Sequence, residues 1–262
     1  MDDNANISGV TAEEAQMSFL QRLSGIFFEP AKTFEDISRK RSWVAMLILM
    51  SLVTLGASYT LRWRMDPADA AIKGMAMTKP LLKRFLSAEQ LTQMEAQAAK
   101  QALQPPSFWA KYSPIVLTPL TLYVVYVILA AIFLLAFMMT GAGISFRKSF
   151  TVAFWGMGPP AIVVTLLSIL FIFVKNPADL DINPANNVVS NLGPLVDSVT
   201  HPALHSLFAS VDLFSLWTII LLSVGFAAMS EKKLTPGKAA VPIVALWGLW
   251  VLLKMGFWSI MS

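Results

Sequence analysis

The chain has 262 residues, of which 56% are hydrophobic and 14% charged, with a formal net charge of +4. A soluble domain is about 45–50% apolar and about 25% charged, so this surplus cannot be hidden in one water-soluble core, and a multi-span membrane protein is the natural reading. The absence of Cys excludes disulfides, thiolate catalysis and Cys-held metals, and the small positive charge reads as basic loops rather than as a nucleic-acid surface.

The chain begins Met1, Asp2, Asp3 and carries Glu13 and Glu14. That is the wrong charge for a secretory signal, so the first span is expected to stay as an anchor. Over residues 16–29, Phe19, Leu20, Leu23, Ile26 and Phe27 recur at helical spacing, with Gln21 and Arg22 elsewhere on the wheel. This predicts an amphipathic helix, lying in the membrane interface or packed on the protein's own loops. Pro30 suits the first turn of a second short helix, 31–41. Its tail, Arg39, Lys40 and Arg41, abuts the membrane and is a candidate lipid-headgroup contact, although topology marking explains it equally well.

A spanning helix needs about 20 mostly apolar residues. The predicted spans are 43–63, 114–139, 151–174, 206–229 and 239–261. The first is bracketed by Trp43 and Trp63, residue types that favour the headgroup level. Between the first two spans, the loop 64–112 is expected to carry a helical stretch over 78–103. Ser87 and Gln90 have capping-box spacing, which predicts a break near Ser87, and Pro105–Pro106 ends the helix. The third span contains Pro159 and Pro160 behind Gly156 and Gly158, a candidate kink or break. The loop 175–204 is polar and reads as irregular and exposed. The fold class expected is therefore an all-α membrane protein: an N-terminal segment, 1–42, and a five-helix membrane domain, 43–261.

Charge sets the expected orientation. Arg39, Lys40 and Arg41, then Arg147 and Lys148, then Lys232, Lys233 and Lys238 fall on one side of a five-span chain. The positive-inside rule makes that side, and the N-terminus, cytoplasmic. The long 64–112 loop runs against this, because it carries seven basic residues on the outer side.

Two intramembrane charges need a reason. Asp212 lies about six residues into the fourth predicted span, or ~9 Å deep, and Lys254 about seven from the end of the fifth, or ~10 Å. Matched depths on adjacent antiparallel helices allow an ion pair that fixes their register. Alternatively, Asp212 caps a helix starting at Leu213 and Lys254 snorkels to the headgroups. Ser210, Ser215, Thr218 and His205 nearby are thin material for a proton relay. Asp179, Asp181 and Asn183 imitate a calcium loop, but Pro184 stands where Gly is needed and Ser190 where Glu is needed. His201 and His205 are interrupted by Pro202. Gly141 and Gly143 read as a turn, and Met138 and Met139 as lipid-facing or packing residues. No catalytic, metal or cofactor residues are expected, and no enzyme.

Three patches carry a resemblance: GIFFEPAKTFEDISRKRSW (Gly25 to Trp43), TGAGISFRKSFTVAFWGMGPP (Thr140 to Pro160) and DLFSLWTIILLSVGFAAMSEKK (Asp212 to Lys233). In order and spacing they resemble bacterial Yip1-domain membrane proteins. The resemblance implies five membrane helices, a cytoplasmic N-terminus and residence in a bacterial inner membrane. Eukaryotic members are linked to Rab GTPases and vesicle traffic, and some bacterial members accompany ABC-type exporters. The function expected is a non-enzymatic accessory or scaffold acting through a membrane-protein partner, with membrane lipids as its other contacts. A transporter or channel component for lipid or a small solute is the second reading.

Overall fold

Apolar segments in a bilayer must satisfy their own backbone groups, which favours helix wherever a run is long enough. The computed structural model describes residues 16–40, 42–197, 200–231 and 234–261. It contains ten α-helices among the described residues and no strand. They are α1 (Phe19–Phe28), α2 (Pro30–Arg39), α3 (Val44–Arg64), α4 (Pro67–Leu82) and α5 (Ala88–Ala102), then α6 (Phe108–Thr140), α7 (Phe146–Val174), α8 (Pro202–Ser210), α9 (Leu213–Met229) and α10 (Pro236–Met261). The all-α class holds.

Among the described residues, four helices are long and apolar enough to cross a membrane: Val44–Arg64, Phe108–Thr140, Phe146–Val174 and Pro236–Phe257. The fourth predicted span, 206–229, is not one helix. The chain leaves helix after Ser210 and restarts at Leu213, with Asp212 extended at φ −135° and ψ 142°. A side-chain acceptor there competes for the next backbone donors and starts a new helix instead of being carried through the old one. The resulting α9 has 17 residues and is about 25 Å long, slightly short of a hydrocarbon core of about 30 Å.

Pro159 and Pro160 do not interrupt α7, which is helical from Phe146 to Val174. Each ring removes one donor, leaving the carbonyls of Trp155 and Gly156 without their usual partners. The turn is held by packing on both sides. Gly156 lies so close to α9 that a Cβ there would be 2.7 Å from Leu222 Cδ2.

α1 and α2 form a short hairpin docked on the bundle. Ile26, Phe34 and Ile37 are fully buried in the main apolar cluster, together with Met46, Trp155 and Phe226. Phe34 sits over Gly225, where a Cβ would lie 2.8 Å from its Cε1. Arg22, assigned from the sequence to the polar face, is buried at 3% exposure, and its Nε meets Asp36 Oδ2 at 2.6 Å. On the outward side, Leu20 and Phe28 are exposed.

The loop regions are more ordered than their composition suggested. The break at Ser87 forms, with the reciprocal bonds of a capping box, but helix already starts at Pro67. The 175–204 loop holds three 3-10 turns, and Leu180, Val188 and Asn187 are buried. Polar composition misled here because its amides and carboxylates bond inward: Asn187 Oδ1 accepts from Asp181 N at 2.9 Å, and Asn187 Nδ2 donates to Asp181 O at 3.1 Å. Arg64 covers the last carbonyls of α7, donating to Ile172 O and Lys175 O at 3.2 Å each. Lys73 of α4 donates to Ala178 O and Leu180 O at 2.6 and 2.7 Å.

These contacts define two ends. At one, Trp155 Nε1 donates to Ser42 O at 2.6 Å, Ser230 Oγ to Ala142 O at 2.9 Å, and Lys148 Nζ to Glu231 Oε1 at 2.8 Å. The described basic residues Arg39, Lys40, Arg147, Lys148 and Lys238 gather here, as the loop charges predicted. Arg41, Lys232 and Lys233 lie outside the described residues, as do Asp2, Asp3, Glu13 and Glu14. The α4–α5 hairpin and the 175–204 loop cover the other end.

Candidate functional site

Helices α6, α7, α9 and α10 pack around one gap. They leave a laterally open groove of about 630 Å³. Its walls are overwhelmingly apolar and include Tyr126, Pro160, Leu222, Trp247 and Trp250. Pro160 of α7 thus lines a wall of the groove. At the end nearer the 175–204 loop the groove meets Asp212, Ser215 and Thr218.

Asp212 is the N-cap of α9. Its Oδ2 accepts from Ser215 N at 2.9 Å and from Ser215 Oγ at 3.0 Å, and its Oδ1 accepts from Ser190 Oγ. An isolated bridge between Asn191 and Asp212 adds a backbone tie between the loop and the helix start. Lys254 reaches the same neighbourhood from α10, but its Nζ donates to Ser210 Oγ at 3.1 Å. No ion pair joins Asp212 and Lys254 among the described residues. The break before α9 explains this: it turns the carboxylate toward its own helix and toward Ser190, while Ser210, last residue of α8, takes the ammonium.

The remaining expected positions are structural in their local contacts. Arg39 and Lys40 lie exposed at the end of α2, and the Lys40 carbonyl accepts from Arg22 Nη1 at 3.0 Å. Asp181 Oδ1 accepts from Asn183 N at 2.7 Å and its Oδ2 from Asn186 Nδ2 at 3.2 Å, so it organises a turn. His201 precedes α8, and His205 Nδ1 lies 2.8 Å from Val196 O. No group of three His, Cys, Asp or Glu residues suited to a metal occurs among the described residues. Gly141 and Gly143 make the turn, both at positive φ. Met138 and Met139 are exposed on α6.

Sequence reasoning missed the Arg22–Asp36 pair. They sit on different helices, on either side of the break at Pro30, and only the fold-back of α2 on α1 brings them together. A signal was present in Asp36 itself, a carboxylate between Phe34 and Ile37 on the apolar face of a short helix.

Outside the spans, the Lys148 ammonium beside Glu231 holds that carboxyl below the usual carboxylate range. The contact therefore favours the folded state above the ordinary glutamate value of about 4.3 and loses its effect as pH falls through the lowered folded value. Melting curves in detergent for the natural chain and for Glu231→Gln should differ slightly at neutral pH and converge under acid. Curves that stay parallel at low pH would remove the pair from the account.

A bundle of apolar helices, four of them long enough to span, with a groove open along its side, defines a multi-pass helical membrane protein. The Yip1 domain family matches residues 24–257, nearly the whole chain, and the chain belongs to that family. No curated protein and no solved structure gives a significant match.

Proposed function

We propose that this Yip1-domain protein is a non-enzymatic scaffold or accessory subunit of a bacterial inner membrane, with five membrane-crossing helices and a cytoplasmic N-terminus. It acts through a membrane-protein partner, for which an ABC-type exporter is the class implied by the resemblance. In this reading α9 is the fifth crossing helix despite its length, and α1 and α2 lie at the cytoplasmic interface with Arg39 and Lys40 near lipid headgroups.

The observation that carries the reading is close packing around an apolar interior. α7 and α9 approach through Gly156 and Gly225, and the main groove offers a solute almost no polar lining. Small residues at helix contacts give a bilayer-embedded bundle its stability through close approach, and such a body suits holding partners. Solubilisation from native membranes in mild detergent, followed by affinity purification, should yield a stoichiometric membrane-protein partner. Purification of the chain alone across several mild detergents would overturn the scaffold.

The lateral groove favours a second reading, a component that handles lipid. Reconstituted vesicles should then show lipid or solute flux above that of empty liposomes. Flux at the empty-liposome level would dispose of it.

A further inference from the structure

We infer that the groove between α6, α7, α9 and α10 is a seat for one phospholipid with an amine headgroup, its chains along the groove and its headgroup at Asp212 and Lys254. This goes beyond the scaffold reading and does not depend on it, since a bound lipid neither requires nor excludes a partner. Three features argue for this occupant. The groove opens sideways from apolar helices, so what enters it comes from the bilayer. It extends along α9 from Asp212 to Leu222 and along α10 from Ile243 to Leu253, about 15 Å at 1.5 Å per residue.

Lining is the second feature. Over about 15 Å the walls are almost wholly apolar, from Tyr126 and Pro160 to Trp247 and Trp250, which suits extended acyl chains and offers a polar solute little.

Charge is the third. Of the roughly four acceptor sites on a carboxylate, Asp212 commits three, to Ser190 and to the two donors of Ser215, which leaves about one. An ammonium donor suits it, and an anionic headgroup is repelled. Lys254 follows Leu253 of the groove wall, and its ammonium stands on Ser210, two residues before Asp212. It has donors to spare for a phosphate. The two opposite charges, held apart by the break before α9, match a zwitterionic headgroup better than they match each other.

The test uses the full chain, reconstituted in vesicles of phosphatidylethanolamine and phosphatidylglycerol in equal parts. It is then extracted into detergent, and the lipid it retains is read by native mass spectrometry. The natural chain should retain one phosphatidylethanolamine, favoured about tenfold over phosphatidylglycerol, as one charge-assisted contact implies. Asp212→Asn keeps the helix cap, since Asn caps as well as Asp. It should still retain lipid but lose the preference. Thr218→Trp, which fills the groove, should retain none. No retained lipid on the natural chain, equal retention of the two lipids, or an unchanged preference in Asp212→Asn overturns the proposal. So does a bound polypeptide in place of lipid, and the Asp212→Asn comparison decides even if Thr218→Trp does not fold.

Discussion

Phe34→Ala is expected to destabilise the protein by about 3–5 kcal/mol, the usual range for emptying a well-packed aromatic site. Phe34 is fully buried, and its ring rests on the surface left open by Gly225 of α9, with Val152 of α7 beside it. A large residue from the other side should do comparable harm. In Gly225→Val the new Cβ would fall 2.8 Å from Phe34 Cε1 and 2.9 Å from Val152 Cγ1. Neither neighbour is a flexible chain end, so the helices must part. Leu20→Ala is the matched control, because Leu20 is 72% exposed. Thermal unfolding in one detergent, followed by tryptophan fluorescence, separates the three. A Phe34→Ala protein that melts with the natural chain would mean that the hairpin is not docked there.

Asp36→Ala carries the second large effect, again about 3–5 kcal/mol, the usual cost of removing one partner from a buried ion pair. The Asp36 carboxylate accepts from Arg22 Nε at 2.6 Å and from Met17 N at 3.1 Å. Arg22 in turn donates to Lys40 O at 3.0 Å and to Ser42 Oγ at 2.9 Å. The pair thus fastens α1, α2 and the start of α3 together, beside the Trp155 bond to Ser42. Removing Asp36 strands a guanidinium that is almost wholly inaccessible to water. The double variant Arg22→Met with Asp36→Leu should recover most of the loss, because an apolar pair of similar size avoids the stranded charge. A double variant no more stable than Asp36→Ala would show that the pair is needed for more than neutralising its own charges.

Both effects live in the segment where the sequence was hardest to read. Period and spacing disclosed two short helices around Pro30, and the apolar stripe of the first. They did not disclose where the stripe lands. Phe34 and Gly225 are nearly 200 residues apart, and their fit exists only once α2 lies across α9. Composition failed similarly in the 175–204 loop. Asn and Asp read as solvent-seeking, yet Asn187 is buried because its amide replaces backbone partners for a turn.

The candidate site divides along the same line. Asp212 and Lys254 stood out because charge within an apolar run is costly. Their common end of the bundle followed from span lengths. Their partners did not, because those depended on whether residues 206–229 form one helix or two. A capping carboxylate won over helix continuity, and the pair gave way to separate bonds with Ser215, Ser190 and Ser210. Pro159 and Pro160 show the opposite outcome. Local chemistry allowed a kink or a break, and with packing against α3 and α9 the helix runs from Phe146 to Val174 without a break.

The sequence by itself determined the class. Apolar runs of sufficient length, few charges and no Cys leave little but a helical membrane protein, and short basic loops placed three segments at one end. Those are local or additive properties, legible wherever they occur along the chain. The tertiary structure decided the docking of the N-terminal hairpin, the buried Arg22–Asp36 pair, the break before α9 and the groove beside it. Each depends on which surfaces meet, and a surface's partner is set by close packing between segments far apart in the chain, not by the composition of either one.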